Sequence, residues 1–321
     1  MSKKAVVLVT RKLPDAVEAR LERDYDARLN SEDKVYSSDE LVQLAAGADA
    51  IIPCHTEKLT TAVIERLPDS VRAICSFSVG FDHIDLDAAK ARGIIVTNTP
   101  DVLSDATAEI AMLLLLGAAR RAYEGEHQIR TATWGDWSAI GGLGIQVTGK
   151  RLGILGMGRV GQILAKRARG FDMQIHYHNR TRLSPDIEAG ALYHESVEQL
   201  LPQCDFLSLH CPATPETGQL INAARIGLLP DGAILVNTAR GAIVDDDALI
   251  EALRSGKLFA AGLDVFNNEP DIDPRYKALE NVFLLPHIGS ATRETRDAMG
   301  FRALDNLDAI SVGQEPPDRL A

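Results

Sequence analysis

Cysteine is scarce in this chain and nowhere closely spaced: Cys54, Cys75, Cys204 and Cys211 stand among 321 residues with no C-x-x-C pair. That excludes a zinc ribbon, a dithiol redox motif and a disulfide scaffold; isolated thiols in so long a chain read as buried groups of a reducing compartment. A membrane-length apolar run is missing as well. The most apolar stretch, 110–119, falls far short of the ~20 residues that a span needs. At the amino terminus, Met1-Ser2-Lys3-Lys4 leads into an apolar run, but Arg11-Lys12 cuts it short, so a first β-strand is expected rather than a signal peptide. Basic charge is in deficit, 34 Lys and Arg against 45 Asp and Glu, a net of −11. So acidic a chain argues against non-specific binding to nucleic acid or to an anionic membrane, while leaving room for a local basic pocket. Repeats and low-complexity segments are absent too, and a cytoplasmic protein is expected.

What is present is ordinary globular composition, 45% hydrophobic and 25% charged. At roughly 150 residues per domain the length implies two domains. Short β-branched runs alternate with longer 3.6-period stretches, the pattern of parallel α/β layers. In the first third, strands are expected near 5–9, 50–53, 73–76 and 94–97, with helices near 14–24, 38–46, 60–67 and 86–92. A second series starts at Lys150, with strands near 152–155, 174–178, 206–210, 233–237, 260–265 and 282–285. Between the series, 105–120 reads as a helix apolar nearly all round, hence buried, and is expected between the domains. The irregular stretch with Trp134 and Trp137 follows, and a last helix near 293–310 can return to the first domain.

The sharpest local motif is Gly156-Met157-Gly158-Arg159-Val160-Gly161. A bare G-x-G-x-x-G is weak, but here it closes a strand and opens a helix inside a βαβ unit. The first glycine makes the tight turn, the second admits a pyrophosphate to the backbone, and the third lets helix and strand pack closely. The helix N-terminus then offers N–H groups to phosphate. A dinucleotide site follows. Its kind is decided at the end of the next strand, where an NAD site places Asp or Glu about 20 residues on. This chain reads His178-Asn179-Arg180-Thr181-Arg182, with no carboxylate before Asp186. Two guanidiniums with Asn and Thr suit an additional phosphate, so NADPH is the expected cofactor and NADH a weaker one. The plainer alternative is a solvated basic turn.

Ligands of open α/β sheets sit beyond the carboxyl ends of the strands. Asn237-Thr238-Ala239-Arg240-Gly241, Leu263-Asp264-Val265, Asn268-Glu269-Pro270 and Leu285-Pro286-His287 all fall at or beside such ends. Singly, each has a bland reading as a surface cation, a loop carboxylate or a packed turn histidine. Together they look like an anion clamp beside a carboxylate–histidine acid/base pair. His176 and His178 share one face of a strand, but no third ligand is evident, and a packed or solvated face is the commoner outcome. His210 reads as structural or as lining an adenine pocket with Cys211 and Pro212. His55 reads equally as a turn residue or as a pocket wall.

From about Ser76 onward the chain resembles the D-2-hydroxyacid dehydrogenases, two-domain α/β proteins of Rossmann-like parallel sheets with a cleft between them. The blocks that carry the likeness are Ser78-Val79-Gly80-Phe81-Asp82-His83-Ile84-Asp85, Thr99-Pro100-Asp101-Val102-Leu103, the glycine turn, Asn237 to Gly241, Gly262-Leu263-Asp264-Val265, Asn268-Glu269-Pro270 and Pro286-His287-Ile288-Gly289-Ser290-Ala291-Thr292. Within the family, Asp101-Val102-Leu103-Ser104-Asp105 and Trp134-Gly135-Asp136-Trp137 are most similar to the glyoxylate/hydroxypyruvate reductases. The first ~70 residues match only loosely, among them the loop Cys54-His55-Thr56-Glu57-Lys58.

The resemblance implies a discontinuous, flavodoxin-like substrate domain, 1–99 plus 288–321, and a dinucleotide-binding domain, 100–287, carrying a dimerisation loop within 123–149. It implies reduction of glyoxylate or hydroxypyruvate to glycolate or D-glycerate. His287 would be the general acid, Glu269 would fix its tautomer and favour the acid form, and Arg240 would hold the carboxylate and polarise the carbonyl. Val79 and Gly80 amides, with Ser290, would complete the substrate contacts. The implied cofactor set is Thr107, Gly156, Gly158, Arg159, Val160, Gly161, Asn179, Arg180, Thr181, Arg182, Cys211, Pro212, Thr217, Thr238, Ala239, Asp264, His287 and Gly289. No metal is required, since Arg240 and His287 supply positive charge, and a homodimer is implied, with Trp137 near the partner's active site. Other readings compete. One is a reductase of pyruvate or an aryl pyruvate. A phosphoglycerate dehydrogenase is a poorer fit because Lys58 stands beside Glu57, and a formate dehydrogenase because Glu269 stands where that relative has Gln. From another class comes a non-catalytic sensor of nicotinamide redox state, like the family's C-terminal binding corepressors.

Overall fold

The structure, a computed structural model, describes residues 4–321. It divides into two compact units, one running to Leu103 and including Ser290–Ala321, the other Ser104–Gly289. The first unit holds five strands, β1 (Val6–Val9), β2 (Asp26–Arg28), β3 (Ala50–Ile52), β4 (Ala73–Cys75) and β5 (Ile95–Thr97). All pair in parallel, in the order β2-β1-β3-β4-β5. The β1, β3 and β4 residues are apolar without alternation because helices cover both faces of a parallel sheet. The strand order reverses between β1 and β3, the flavodoxin-like switch point. Helix Arg293–Ser311 packs in this unit, as its sequence position allowed: a Cβ on Gly300 would lie 2.3 Å from Val17 Cγ2.

The second unit holds β6 (Arg151–Leu155), β7 (Gln174–His178), β8 (Leu192–Tyr193), β9 (Phe206–Leu209), β10 (Ala233–Asn237), β11 (Leu258–Leu263) and β12 (Val282–Leu284). These form one parallel sheet in the order β12-β11-β10-β9-β6-β7-β8, which reverses between β6 and β9. The glycine turn leaves β6 at that point, where a doubly wound sheet opens a crevice. Helix Ser104–Ala119 lies on a face of this sheet. Two glycines let it approach: a Cβ on Gly262 would meet Leu114 Cβ at 2.8 Å, and one on Gly117 would meet the Phe283 ring at 2.4 Å. The burial expected from its apolar composition thus comes from its own unit's sheet, and Leu113 remains 46% exposed.

Sequence patterning missed β2 and β8, short edge strands with little buried apolar surface, formed only through their pairing with β1 and β7. Strand β11 begins earlier than expected and ends at Leu263, so Asp264 lies just past it. Among the described residues no helix is long and apolar enough to cross a membrane. All four cysteines are free, and burial pushes the Cys75 and Cys204 thiols up to about 12.

Burial acts the other way on three imidazoles. It pulls His210 down to about 4, and lowers His176 and His194, whose rings stack with Nδ1 of the first 3.0 Å from Nε2 of the second. The unfolded chain binds these protons below pH 6.5 while the folded chain does not, so stability is full above 6.5 and is lost as pH falls toward the folded values. Denaturant titrations of the cofactor-free protein at pH 7.5 and 5 are expected to differ by on the order of 2 kcal/mol. His210→Gln should flatten that difference; an unchanged slope would contradict the assignment.

Candidate active site

The glycine turn is built as its spacing predicts. Gly156 has φ +92°, and a Cβ there would lie 2.6 Å from the Cys211 amide nitrogen, so only glycine fits between the loops after β6 and β9. A Cβ on Gly161 would strike Gly156 O at 2.8 Å, whereas at Gly158 it would meet nothing within 4 Å. The approach to Gly158 is therefore open to a bulky ligand. Helix Arg159–Ala168 starts there with no side-chain cap, and a helix N-terminus is a ready anion site. The turn is knitted to the end of β7: Gly156 N donates to His178 O (3.0 Å) and Met157 N donates to the Asn179 side-chain oxygen (2.6 Å).

The two guanidiniums beyond Asn179 have different surroundings. Arg182 donates twice to Glu188 (2.7 and 3.1 Å) and lies over the Tyr193 ring, while Tyr177 donates to the same carboxylate (2.6 Å). Glu188 is buried, and the neighbouring charge and hydroxyl hold it below the usual carboxylate range. Sequence reading stopped at Asp186 and missed it. Arg180 and Thr181 are exposed, and Arg180 has no ion pair or hydrogen bond among the described residues. Of the two arginines placed at a phosphate, Arg182 is occupied and Arg180 is available.

Beyond β9, Cys211 and Pro212 run beside the glycine turn, and Thr217 closes their loop by donating to Pro212 O and accepting from Thr214 N (both 2.7 Å). Beyond β10, the buried Asn237 side chain donates to Arg240 O and accepts from Ala239 N (both 2.9 Å), fixing the turn that carries Arg240. Gly241 is obligatory there, since a Cβ would lie 2.0 Å from Phe266 C. Thr238 Oγ1 is buried with no hydrogen-bond partner among the described residues, a vacancy that a ligand can fill.

His287 Nδ1 donates to Glu269 Oε2 at 2.6 Å, and Glu269 Oε1 accepts from Phe266 N at 2.7 Å. The carboxylate is thus held by its own loop and dictates the imidazole tautomer. His287 has φ +54°, a left-handed conformation that a non-glycine residue adopts at a cost of about 1–3 kcal/mol, typical of sites where geometry matters more than stability. Asp264, 1% exposed, accepts from Ile288 N (2.8 Å) and Gly289 N (2.7 Å) and so braces the segment that follows His287. Burial pushes this carboxyl up to about 6, against the pull of the two amides and of His287. The position of a Cβ on Gly289 lies within 3.5 Å of both Asp264 and Thr107, so these three form one packed group.

In the first unit, the expected carboxylate cradle lies after β4. Asn98 Nδ2 donates to Val79 O (2.8 Å) and Ser78 Oγ to Gly80 O (2.6 Å), while Ser76 braces Ser78 from beneath (2.7 Å). With both carbonyls engaged, the Val79 and Gly80 amides have no acceptor among the described residues. Adjacent outward N–H groups of this kind make an anion-binding concavity. Ser290 is half-buried just ahead of the last helix. Glu57, from the loosely matched loop, is buried and accepts from Thr10 Oγ1 (2.5 Å), Thr56 Oγ1 (2.7 Å) and Cys54 N (2.8 Å), so it shapes that loop.

Residues 112–289 match the family model described as D-isomer specific 2-hydroxyacid dehydrogenase, NAD binding domain. The chain belongs to that family. This dehydrogenase is 47% identical to a glycerate dehydrogenase of Hyphomicrobium methylovorum, with 100% of each chain covered. It is 42% identical to a glyoxylate reductase of Thermococcus litoralis, over 98% of this chain and 96% of the other. A solved NADPH-dependent glyoxylate/hydroxypyruvate reductase of Sinorhizobium meliloti, in complex with NADP and malonate, superposes with a TM-score of 0.88 at 31% identity, covering 99% of this chain and 97% of that one. The dehydrogenase is an oxidoreductase of two parallel-sheet α/β domains. The open face of Gly158, the uncapped helix and the orphaned Thr238 hydroxyl all fit a dinucleotide.

Proposed function

We propose that the protein is an NADPH-dependent reductase of glyoxylate and hydroxypyruvate, yielding glycolate and D-glycerate. The observation that carries the chemistry is the 2.6 Å bond from His287 Nδ1 to Glu269. With Nδ1 committed, Nε2 is the nitrogen that gives its proton to the substrate carbonyl oxygen, and Glu269 stabilises the imidazolium before that transfer. Arg240 holds the substrate carboxylate and draws electron density from the carbonyl, while the Val79 and Gly80 amides take the carboxylate's other oxygen. A nicotinamide dinucleotide, when bound, would supply the hydride for this reduction. His287 is left neutral and recovers its proton from solvent. Thr107, Asp264 and Gly289, with Thr238 and Ala239, would hold the nicotinamide end of the cofactor.

The glycine turn and the Arg159 and Val160 amides take the pyrophosphate. Cys211, Pro212 and Thr217 would hold the adenine end, and Arg180, with Asn179 and Thr181, would take the additional phosphate of NADPH. The substrate reading is supported by the names of relatives at 42–47% identity, and the cofactor reading by the unengaged Arg180 and the NADP-bound relative. A homodimer through helix Ala122–Arg130 and the segment after it is supported by the apolar surface there, with Trp134 67%, Trp137 84% and Ile140 82% exposed. Exposed large apolar side chains gathered on one segment favour burial against a partner.

Absorbance at 340 nm with glyoxylate, comparing NADPH and NADH, tests the reading. Wild type is expected to prefer NADPH, and Arg180→Ala to lose about 10- to 100-fold in kcat/KM with NADPH while NADH turnover changes little, the loss of one charge-assisted phosphate contact. Activity with NADH alone would refute the phosphate assignment, and sedimentation of the same sample as a monomer would refute the dimer.

A further inference from the structure

The run Thr97-Asn98-Thr99, at the end of β5, is buried although all three residues are polar. Buried polar groups need hydrogen-bond partners, and the partners of Asn98 show what it holds. Its backbone is clamped first. Asn98 N donates to Asp318 O (3.4 Å), and Asn98 O accepts from Asn306 Nδ2 (3.2 Å). Asn306 is fully buried and tied in turn to Asp318, donating to Oδ2 (2.9 Å) and accepting from the N–H (3.0 Å). Arg302 completes the clamp by donating twice to the same carboxylate (2.5 and 2.7 Å).

From this fixed base the Asn98 carboxamide donates to Val79 O (2.8 Å), and Thr99 N donates to Ser78 O (2.9 Å). The peptide bonds after Ser78 and Val79 are both trans. In a trans peptide the C=O and the N–H that follows it point in opposite directions. The Thr99 bond therefore turns the Val79 N–H away from β5, and the Asn98 bond does the same for the Gly80 N–H. The two amides thus have separate anchors, one a main-chain bond and the other a single side chain. Solvation does not require the second anchor, since Val79 is exposed and a surface loop can hydrate its own carbonyls.

We infer that Asn98 is a positioning residue for the substrate carboxylate: by holding Val79 O it aims the Gly80 N–H, without itself touching substrate. The inference rests on the reductase reading above, in which the Val79 and Gly80 amides take one carboxylate oxygen. The carboxylate is held alike in the ground state and the transition state. Loss of aim should therefore appear in KM and leave kcat little changed.

The test uses the NADPH-loaded enzyme, with oxamate as a non-reducible 2-keto acid analogue and glyoxylate and hydroxypyruvate as substrates. In Asn98→Ala the oxamate Kd and the KM of both substrates are expected to rise together, about 5- to 30-fold, the weakening of one hydrogen bond to a charged group. Asn98→Leu keeps the volume and removes the donor, so it should show the same rise if the alanine variant folds poorly. Tyr25→Phe is the control for stability alone, because it deletes a bond to Asp308 elsewhere in the same unit. Its melting temperature should fall while the oxamate Kd holds. An oxamate Kd unchanged in the Asn98 variants, a Kd weakened as much in Y25F, or a kcat that falls while KM holds would overturn the inference. Wild type that binds oxamate but reduces neither acid would overturn the reductase reading alone, and the oxamate titrations of the variants would still decide the inference. Wild type that neither binds oxamate nor reduces either acid would overturn both.

Discussion

His287→Asn is expected to lower kcat with glyoxylate about 10²- to 10⁴-fold, the usual contribution of a positioned general acid. Asparagine is the informative replacement because position 287 has φ +54°, which asparagine tolerates better than most residues. The variant therefore removes the proton donor while preserving the turn between Leu285 and Asp264's two amide contacts at Ile288 and Gly289. Its melting temperature checks that the turn survives. Glu269→Gln should have a smaller effect: the carboxamide can still meet His287 Nδ1 and Phe266 N, but it no longer stabilises the imidazolium. Stopped-flow absorbance at 340 nm would read both variants. A loss below about 10-fold in His287→Asn, with the fold intact, would mean that the proton comes from elsewhere.

Features with a local steric cause were legible in the sequence. Each glycine of the dinucleotide turn has its own reason, a positive φ, an open approach or a close helix contact, and such reasons leave a fixed spacing. The strand ends carrying Asn237, Asp264 and His287 were legible because apolar β-branched runs stop there. What escaped depends on partners far away in the chain. β2 exists because β1 offers it hydrogen bonds, and its own residues, Asp26-Ala27-Arg28, carry no pattern. Arg182 and Arg180 look alike in the sequence, and only the fold brings Glu188 to one of them. The amide pair at Val79 and Gly80 depends on Asn98, about one strand and helix further on, to hold a carbonyl.

Arg240→Leu should reduce kcat/KM for glyoxylate on the order of 10²- to 10³-fold, because truncating one member of a desolvated, hydrogen-bonded charge pair costs about 2–5 kcal/mol. The Arg240 guanidinium donates to Ala239 O (2.8 Å), but the turn has other ties as well. Asn237 bonds the Arg240 and Ala239 backbone, and Gly241 packs against Phe266 with no room for a Cβ, so the turn is expected to persist in the variant. Arg240→Lys separates charge from shape. Lysine keeps the positive charge but presents a point rather than a planar fork, so it cannot grip a carboxylate and polarise the adjoining carbonyl together. It should regain binding more than turnover, with KM nearer to wild type and kcat still depressed. If the lysine variant matched wild type in kcat, Arg240 would act on the carboxylate alone, and the carbonyl would depend on His287 for all of its activation. If leucine cost less than about 10-fold, the carboxylate would be held by the Val79 and Gly80 amides without help from this guanidinium.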